Sequence, residues 1–169
     1  DGGLLKAPRM KNEGFNPKTC ALPKFACEIR NGFIYANVSE NPDPLEIEEL
    51  DTLIAPYEPG TYRHIHTGTE VWNTNWKCLV ENFMEGYHLS VVHPQTLHHY
   101  TPTGLSRKGP SGEGFTTYFA NYPESAAGRG DGAPNLSAEE RRRSTLFSVF
   151  PAQVASCAAS TLVSLSIFP

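Results

Sequence analysis

Along residues 75–94, NWKCLVENFMEGYHLSVVHP, the apolar positions Trp76, Leu79, Val80, Phe83, Met84 and Tyr87 recur at steps of three and four. That spacing gives one buried face to an α-helix. Asn73, Thr74 and Asn75 precede it and offer side-chain oxygens to the unpaired N–H groups of a helix start. Elsewhere the pattern alternates in twos. Residues 25–38, FACEIRNGFIYANV, alternate on both sides of Asn31-Gly32, a dipeptide suited to the type I′ turn of a β-hairpin. Asp1-Gly2-Gly3 reads as another turn, with residues 4–7 as its return strand. Residues 62–71, YRHIHTGTEV, fit a strand with His64 and His66 on one face. Residues 115–122, 144–150, 154–158 and 161–168 read as further strands, the last three antiparallel and separated by Pro151 and small residues.

The remaining segments are punctuation. Residues 40–49, with Pro42 and Pro44, read as an acidic linker. Residues 101–133 are rich in Gly, Ser and Pro and read as a long mobile region around the single strand 115–122. Leu136–Glu140 starts a short helix, with Ser137 as N-cap and Glu139 and Glu140 in its first turn. Arg141, Arg142 and Arg143 suit a solvated helix end better than an anion site. Strands, a helix and more strands predict an α+β fold, an antiparallel sheet with a helix laid across it.

Composition narrows the function classes. The 169 residues suffice for a real core. Fourteen basic against eighteen acidic residues leave a net charge of −4, so there is no nucleic-acid footprint. No apolar run is long enough for a membrane span, and DGGLLKAPRM is no signal peptide. Cys20, Cys27, Cys78 and Cys157 are scattered, which predicts free thiols in a reducing, cytoplasmic setting.

Chemistry concentrates at the end of the helical stretch, in Glu85, His88, His93 and Pro94. Neutral imidazoles bind divalent metals, and a nearby carboxylate orients them. Five residues of ideal helix rotate by roughly 140°, so His88 and His93 can share a metal only if the helix ends, bulges or tightens between them. Pro94 favours such a break. Taken alone, His-x4-His fits surface or core histidines equally well.

The wider string is more specific. N-W-K, E-N-F-x-E-x-Y-H and x4-H-P resemble the catalytic-domain signature of Rieske non-haem iron oxygenases, the α subunits of aromatic-ring-hydroxylating dioxygenases and their monooxygenase and demethylase relatives. The resemblance implies that His88 and His93 are ligands of a mononuclear Fe(II), with an aspartate beyond residue 169 as the third. Two histidines and a carboxylate leave iron positions open for O2 and substrate. It implies that Glu85 links the Rieske cluster of a neighbouring subunit to the iron and that Asn82 can sit behind the ligands. Tyr87, His98, His99, Phe150 and Leu162 become pocket candidates, with Val149 and Leu165 as further apolar wall.

In the same family a string like DGGLLKAP, followed by one like RNGFIYAN, closes the Rieske domain. The C-x-H and C-x2-H pairs that hold a [2Fe–2S] cluster are not in this sequence. The expected organisation is therefore a fragment. Residues 1–40 are the tail of a Rieske-like β domain, 41–60 a linker, and 61–169 part of a helix-grip catalytic domain. The cluster would belong to the full-length parent, inactive as this fragment is expected to be. Expected partners are a small-molecule substrate, O2, a ferredoxin or reductase, and subunits of a homotrimer or α3β3 assembly. Hydroxylation of an aromatic substrate is the leading expectation. Oxygenation or demethylation of a quaternary ammonium compound is the runner-up, and a helix-grip domain that carries apolar ligands without iron is the non-enzyme alternative.

Overall fold

The structure is a computed structural model describing residues 2–10 and 14–168. The turn expected at Asp1 lies partly outside the described residues. Two compact units are present. The first comprises Asp1–Arg30 and Ile34–Pro44, the second Asn31–Phe33 and Leu45–Pro169.

Strands β1 (Ala26–Arg30) and β2 (Phe33–Asn37) form the predicted two-stranded hairpin. Asn31 and Gly32, at φ 50° and 84°, both take the left-handed conformation that a type I′ turn requires. The return strand expected at residues 4–7 does not form. Gly3 makes one isolated antiparallel bridge with Ala21, and Pro8 ends any extension because it has no N–H to offer.

In the second unit, residues read as linker are structured. Helix α1 (Glu48–Ile54) opens with Glu48, Glu49 and Asp51 in its first turn, where the helix dipole favours negative charge. Ile47, Leu50 and Ile54, spaced three and four apart, are buried together with Tyr57.

Five antiparallel strands follow in the order β3-β4-β5-β6-β7: Ser106–Ser111, Phe115–Asn121, Arg143–Val149, Gln153–Ala158 and Thr161–Ser166. Cross-strand pairs Thr117↔Phe147, Phe147↔Ala155, Thr145↔Cys157 and Cys157↔Leu162 define one face of this sheet. On that face the Phe147 ring meets Phe33 edge-on at 6.1 Å, and the Tyr57 hydroxyl bonds Thr145 Oγ1 at 2.8 Å. Side chains alternate across a strand, so Tyr118, Ala120, Tyr122, Leu146, Ser156, Val163 and Leu165 belong to the other face.

The α+β architecture expected from the chain is the one observed, with four local differences. No strand forms at residues 62–71; Arg63–Asn75 is exposed coil, and although residues 62–67 share a cleft with residues 160–164 at the β7 edge, they do not pair with it. The region read as one long loop holds β3, paired with β4. Its polar sequence SRKGPS concealed it. As the edge strand it tolerates Pro110, and the register shifts between Lys108 and Ser111. The helix expected from Leu136 is only a 3-10 turn, Glu140–Arg142. Ser137 and Glu140 do form the reciprocal cap, backbone N–H of each to the side chain of the other, at 2.7 and 3.2 Å. The chain then straightens into β5. Finally, helix α2 (Trp76–Phe83) stops short of Tyr87.

Candidate metal centre

Helix α2 begins as its sequence dictates: Asn75 Oδ1 accepts the Lys77 N–H at 2.9 Å. It ends with the Met84 N–H shared between the carbonyls of Val80 and Glu81. The chain turns through Glu85–Tyr87, and a single helical turn, α3 (Leu89–Val92), follows with buried Leu89 as its anchor. His88 and His93 stand at the two ends of α3. Interrupting the helix removes the angular mismatch that five continuous helical residues would impose. Their ring centroids lie 5.3 Å apart at an interplanar angle of 68°. A metal about 2.0–2.2 Å from a ring nitrogen is roughly 3 Å from the ring centre, so one ion can span this pair.

The Glu85 carboxylate meets His88 Nδ1, accepts the Tyr87 N–H, and takes the His88 N–H at 3.3 Å. Nδ1–H donation to a carboxylate leaves the Nε2 lone pair for a metal, the arrangement that fixes tautomer and ring orientation in metal-binding histidines. The donor set therefore fits a divalent transition metal. Beneath the turn, the Tyr118 hydroxyl donates to the Glu85 carbonyl at 3.4 Å. Burial, and secondarily the nearby Glu85 charge, raise the Tyr118 pKa, so it stays a neutral donor.

The turn α3 is stapled to the chain before β3. Ser90 N–H donates to Thr103 Oγ1 at 3.1 Å and Thr103 N–H to Ser90 Oγ at 2.9 Å. Thr103 Oγ1 donates in turn to the Tyr87 carbonyl at 3.0 Å. His98 Nδ1 lies 2.9 Å from Ser90 Oγ. Tyr118 lies in the strand expected at residues 115–122 and among the aromatics the sequence offers near the pocket, whereas Ser90 and Thr103 belong to no periodic pattern and give no sequence signal.

The structure brings Glu85, His88 and His93 together. Of the other candidates, only His98 is joined to them, its backbone N–H donating to the His93 carbonyl at 3.1 Å. Asn82 is exposed on α2. Tyr87 is 85% exposed, because α2 ends before the helical period reaches it. His98 and His99 are exposed, 6.1 Å apart ring to ring. Phe150 is 76% exposed in the turn between β5 and β6. Leu162 pairs with Cys157 and so sits on the sheet face opposite Tyr118, as does Val149. It lines a cleft of about 660 Å³ with Tyr62, His64 and His66. His64 Nε2 there bonds Thr67 Oγ1 at 2.7 Å. Among the described residues no group of three or more His, Cys, Asp or Glu side chains is placed to hold one metal ion, so Glu85 counts as the partner of His88 and not as a third ligand.

The three consecutive arginines hold backbone and ring instead of ending a solvated helix. Arg141 donates to the carbonyls of Ala133 and Leu136 at 3.0 and 3.2 Å. Arg142 donates to those of Pro123 and Ala126 at 2.6 and 3.3 Å. Arg143 is buried, 4.0 Å above the Phe119 ring and paired with Glu139 at 2.9 Å. The first two clamp the ends of the segment between β4 and β5.

Comparison with known proteins gives these features a context. Residues 56–169 match the model of the ring-hydroxylating alpha subunit catalytic domain. A glycine betaine monooxygenase oxygenase subunit of Chromohalobacter salexigens is 30% identical over 99 residues, 57% of this chain and 22% of the relative. One of Pseudomonas aeruginosa is 28% identical over the same length, covering 23% of the relative. The chain thus spans less than a quarter of these curated relatives. Among solved structures, a quaternary ammonium Rieske monooxygenase bound to an inhibitor superposes with a TM-score of 0.80 at 17% identity, over 100% of this chain and 45% of the other. Its complex with gamma-butyrobetaine gives 0.71 at 16% identity, over 99% and 43%. By their names these relatives act on quaternary ammonium compounds, so the expected aromatic-hydrocarbon catabolism finds no support among them.

Proposed function

The chain belongs to the family of ring-hydroxylating alpha-subunit catalytic domains, and on that premise we propose that it forms the iron-binding part of a Rieske-type monooxygenase acting on a quaternary ammonium compound. The observation that carries the reading is the juxtaposition of His88 and His93 across α3, with Glu85 on His88. His88 and His93 would hold the iron, and the third ligand would come from outside the described residues. When bound, the iron supplies the O2 chemistry, with electrons delivered from a [2Fe–2S] centre elsewhere in the assembly.

The chain's own residues prepare that site. Glu85 holds the His88 ring and offers a carboxylate at the surface where a second subunit's cluster would arrive. Tyr118, Ser90 and Thr103 hold the backbone on which both rings are mounted. The substrate side of the reading rests on the relatives named for glycine betaine and on the gamma-butyrobetaine complex. The aromatic rings Tyr118 and Tyr122, on the sheet face that carries Glu85, suit a trimethylammonium group. Two of the apolar wall positions, Val149 and Leu162, lie on the other face. In this proposal residues 1–40 are the tail of the Rieske-type domain, residues 61–169 belong to the catalytic domain, and the assembly is a cytoplasmic trimer served by a ferredoxin or reductase. No helix among the described residues is long and apolar enough to cross a membrane.

The test is the complete oxygenase with its reductase. Glycine betaine or gamma-butyrobetaine should stimulate O2 and reductant consumption, and simple arenes should not. Stimulation by arenes alone would sink the substrate reading. In the same enzyme Glu85→Gln is expected to keep iron, measured by metal analysis, while product formation falls at least tenfold. Unchanged turnover would leave Glu85 as a local cap and nothing more.

A further inference from the structure

The segment between β4 and β5 ends in a contact that the metal centre does not use. Its base is clamped by Arg141 and Arg142 on backbone carbonyls. At its tip, Arg129 places its guanidinium carbon 5.5 Å from the Tyr100 ring centroid and 5.7 Å from that of Tyr122. Tyr122 is buried, with its hydroxyl 2.8 Å from Ser144 Oγ, whereas Tyr100 is exposed. No ion pair holds Arg129 among the described residues. Its neighbours are Gly128, with open space around it, and Gly130 at φ 79°, a left-handed conformation. A cation is therefore held by two ring faces alone, between Gly128 in open space and Gly130 packed against Ser160.

These rings lie on the iron side of the sheet. Tyr122, just past the end of β4, continues the alternation of Tyr118 and Ala120 and bonds Ser144 on the same face, and Tyr118 reaches the Glu85 carbonyl. Tyr100 follows His93 by seven residues. We propose that Tyr100 and Tyr122 form a cation-recognition site on this face, with Arg129 as its resident occupant, and that a quaternary ammonium group displaces the guanidinium. The physical case is one of exchange. The Arg129 guanidinium is half-buried and gives up part of its hydration to stay on the two rings, which offsets much of what the contact gains. A tetraalkylammonium has no N–H to hydrate and loses less on the same faces. The inference rests on the quaternary ammonium reading above, but it assigns recognition to particular rings.

The experiment titrates tetramethylammonium chloride into the full chain at constant ionic strength and follows ring-labelled tyrosines by NMR. The Tyr100 and Tyr122 resonances should shift together. Arg129→Gln should tighten binding about fivefold, the equivalent of one cation–π contact. Tyr100→Phe should bind as the wild type does, and Tyr100→Leu should lose the shift at Tyr122. Because Tyr100 is exposed, both variants should fold, and their backbone amide spectra check that. Unmoved rings in both wild type and Arg129→Gln would overturn the proposal, as would unchanged affinity in Tyr100→Leu. The two readings fail separately. Betaine turnover with unmoved rings sinks only the cation site. Ring binding of tetramethylammonium in an oxygenase that turns over arenes alone sinks only the substrate reading.

Discussion

At the scale of single residues, Gly86 decides whether the two imidazoles meet. It is buried in the turn between α2 and α3, and a Cβ there would overlap the Ser106 hydroxyl. Ser106 Oγ has no hydrogen bond to hold it and can turn away, but Ser106 Cβ would still lie 3.0 Å from the added carbon, so the turn must give slightly. Gly86→Ala should cost about 1–3 kcal/mol of stability, the usual range for overpacking. It should also weaken Co(II) binding, because the turn that carries His88 must shift. Adding Ser106→Gly should restore most of both. Urea unfolding and Co(II) absorbance titration measure the two effects. A single variant as stable as the parent would mean the turn has room that its geometry denies.

At the scale of elements, the segment from Pro123 to Pro134 has no regular structure, yet it is held at both ends by the arginines that follow it. Guanidinium donors add charge-assisted bonds to the Pro123 and Ala133 carbonyls, which already accept from the Ala126 and Leu136 N–H groups, and also bond the Ala126 and Leu136 carbonyls. Arg142→Ala removes the bonds to Pro123 and Ala126. The expected result is faster proteolytic cleavage within residues 123–134, while strands β5 and β6 keep their amide-exchange protection. A uniform loss of protection would instead show that Arg142 supports the sheet. The same logic explains β3. Its sequence has no apolar alternation, and it is a strand only because β4 offers it an edge.

At the scale of the whole molecule, several buried groups bind their protons more tightly when folded. Burial pushes the Cys157 thiol from its ordinary 9.0 up to about 12. Burial likewise raises Tyr57, Tyr118 and Tyr122 above their ordinary 10.0. Below pH 9 both folded and unfolded chains keep these protons, and the stability they contribute is fully present. Above it the unfolded chain releases protons first, so stability falls as pH rises through the folded values, by up to about 1.4 kcal/mol per pH unit for each such group. Thermal unfolding should therefore show a steep decline in Tm from about pH 9 upward. In parallel, a thiol reagent at pH 8 should label exposed Cys27 and Cys78 in the native chain and reach Cys157 only on unfolding. Native labelling of Cys157 at the rate of the other two would contradict its burial.

What the sequence by itself determined is whatever depends on near neighbours. Asn31-Gly32 alone is enough for a type I′ turn, Asn75 for a helix cap, and short runs separated by Pro151 and small residues for β5, β6 and β7. The E-N-F-x-E-x-Y-H and H-P strings sufficed to single out Glu85, His88 and His93. What only the tertiary structure decided depends on partners far along the chain. Residues 62–71 alternate like a strand but stay unpaired, with residues 62–67 across a cleft from β7, and residues 106–111 do not alternate but pair with β4. Leu162 was read as pocket wall, yet its register against Cys157 turns it to the far face, since a strand's faces swap with every residue. Tyr87 continued a helical period, but the backbone left the helix at Phe83. The Ser90–Thr103 staple and the Arg129 contact with Tyr100 and Tyr122 join residues without common spacing. Local spacing cannot encode such contacts, because folding alone brings their partners within reach.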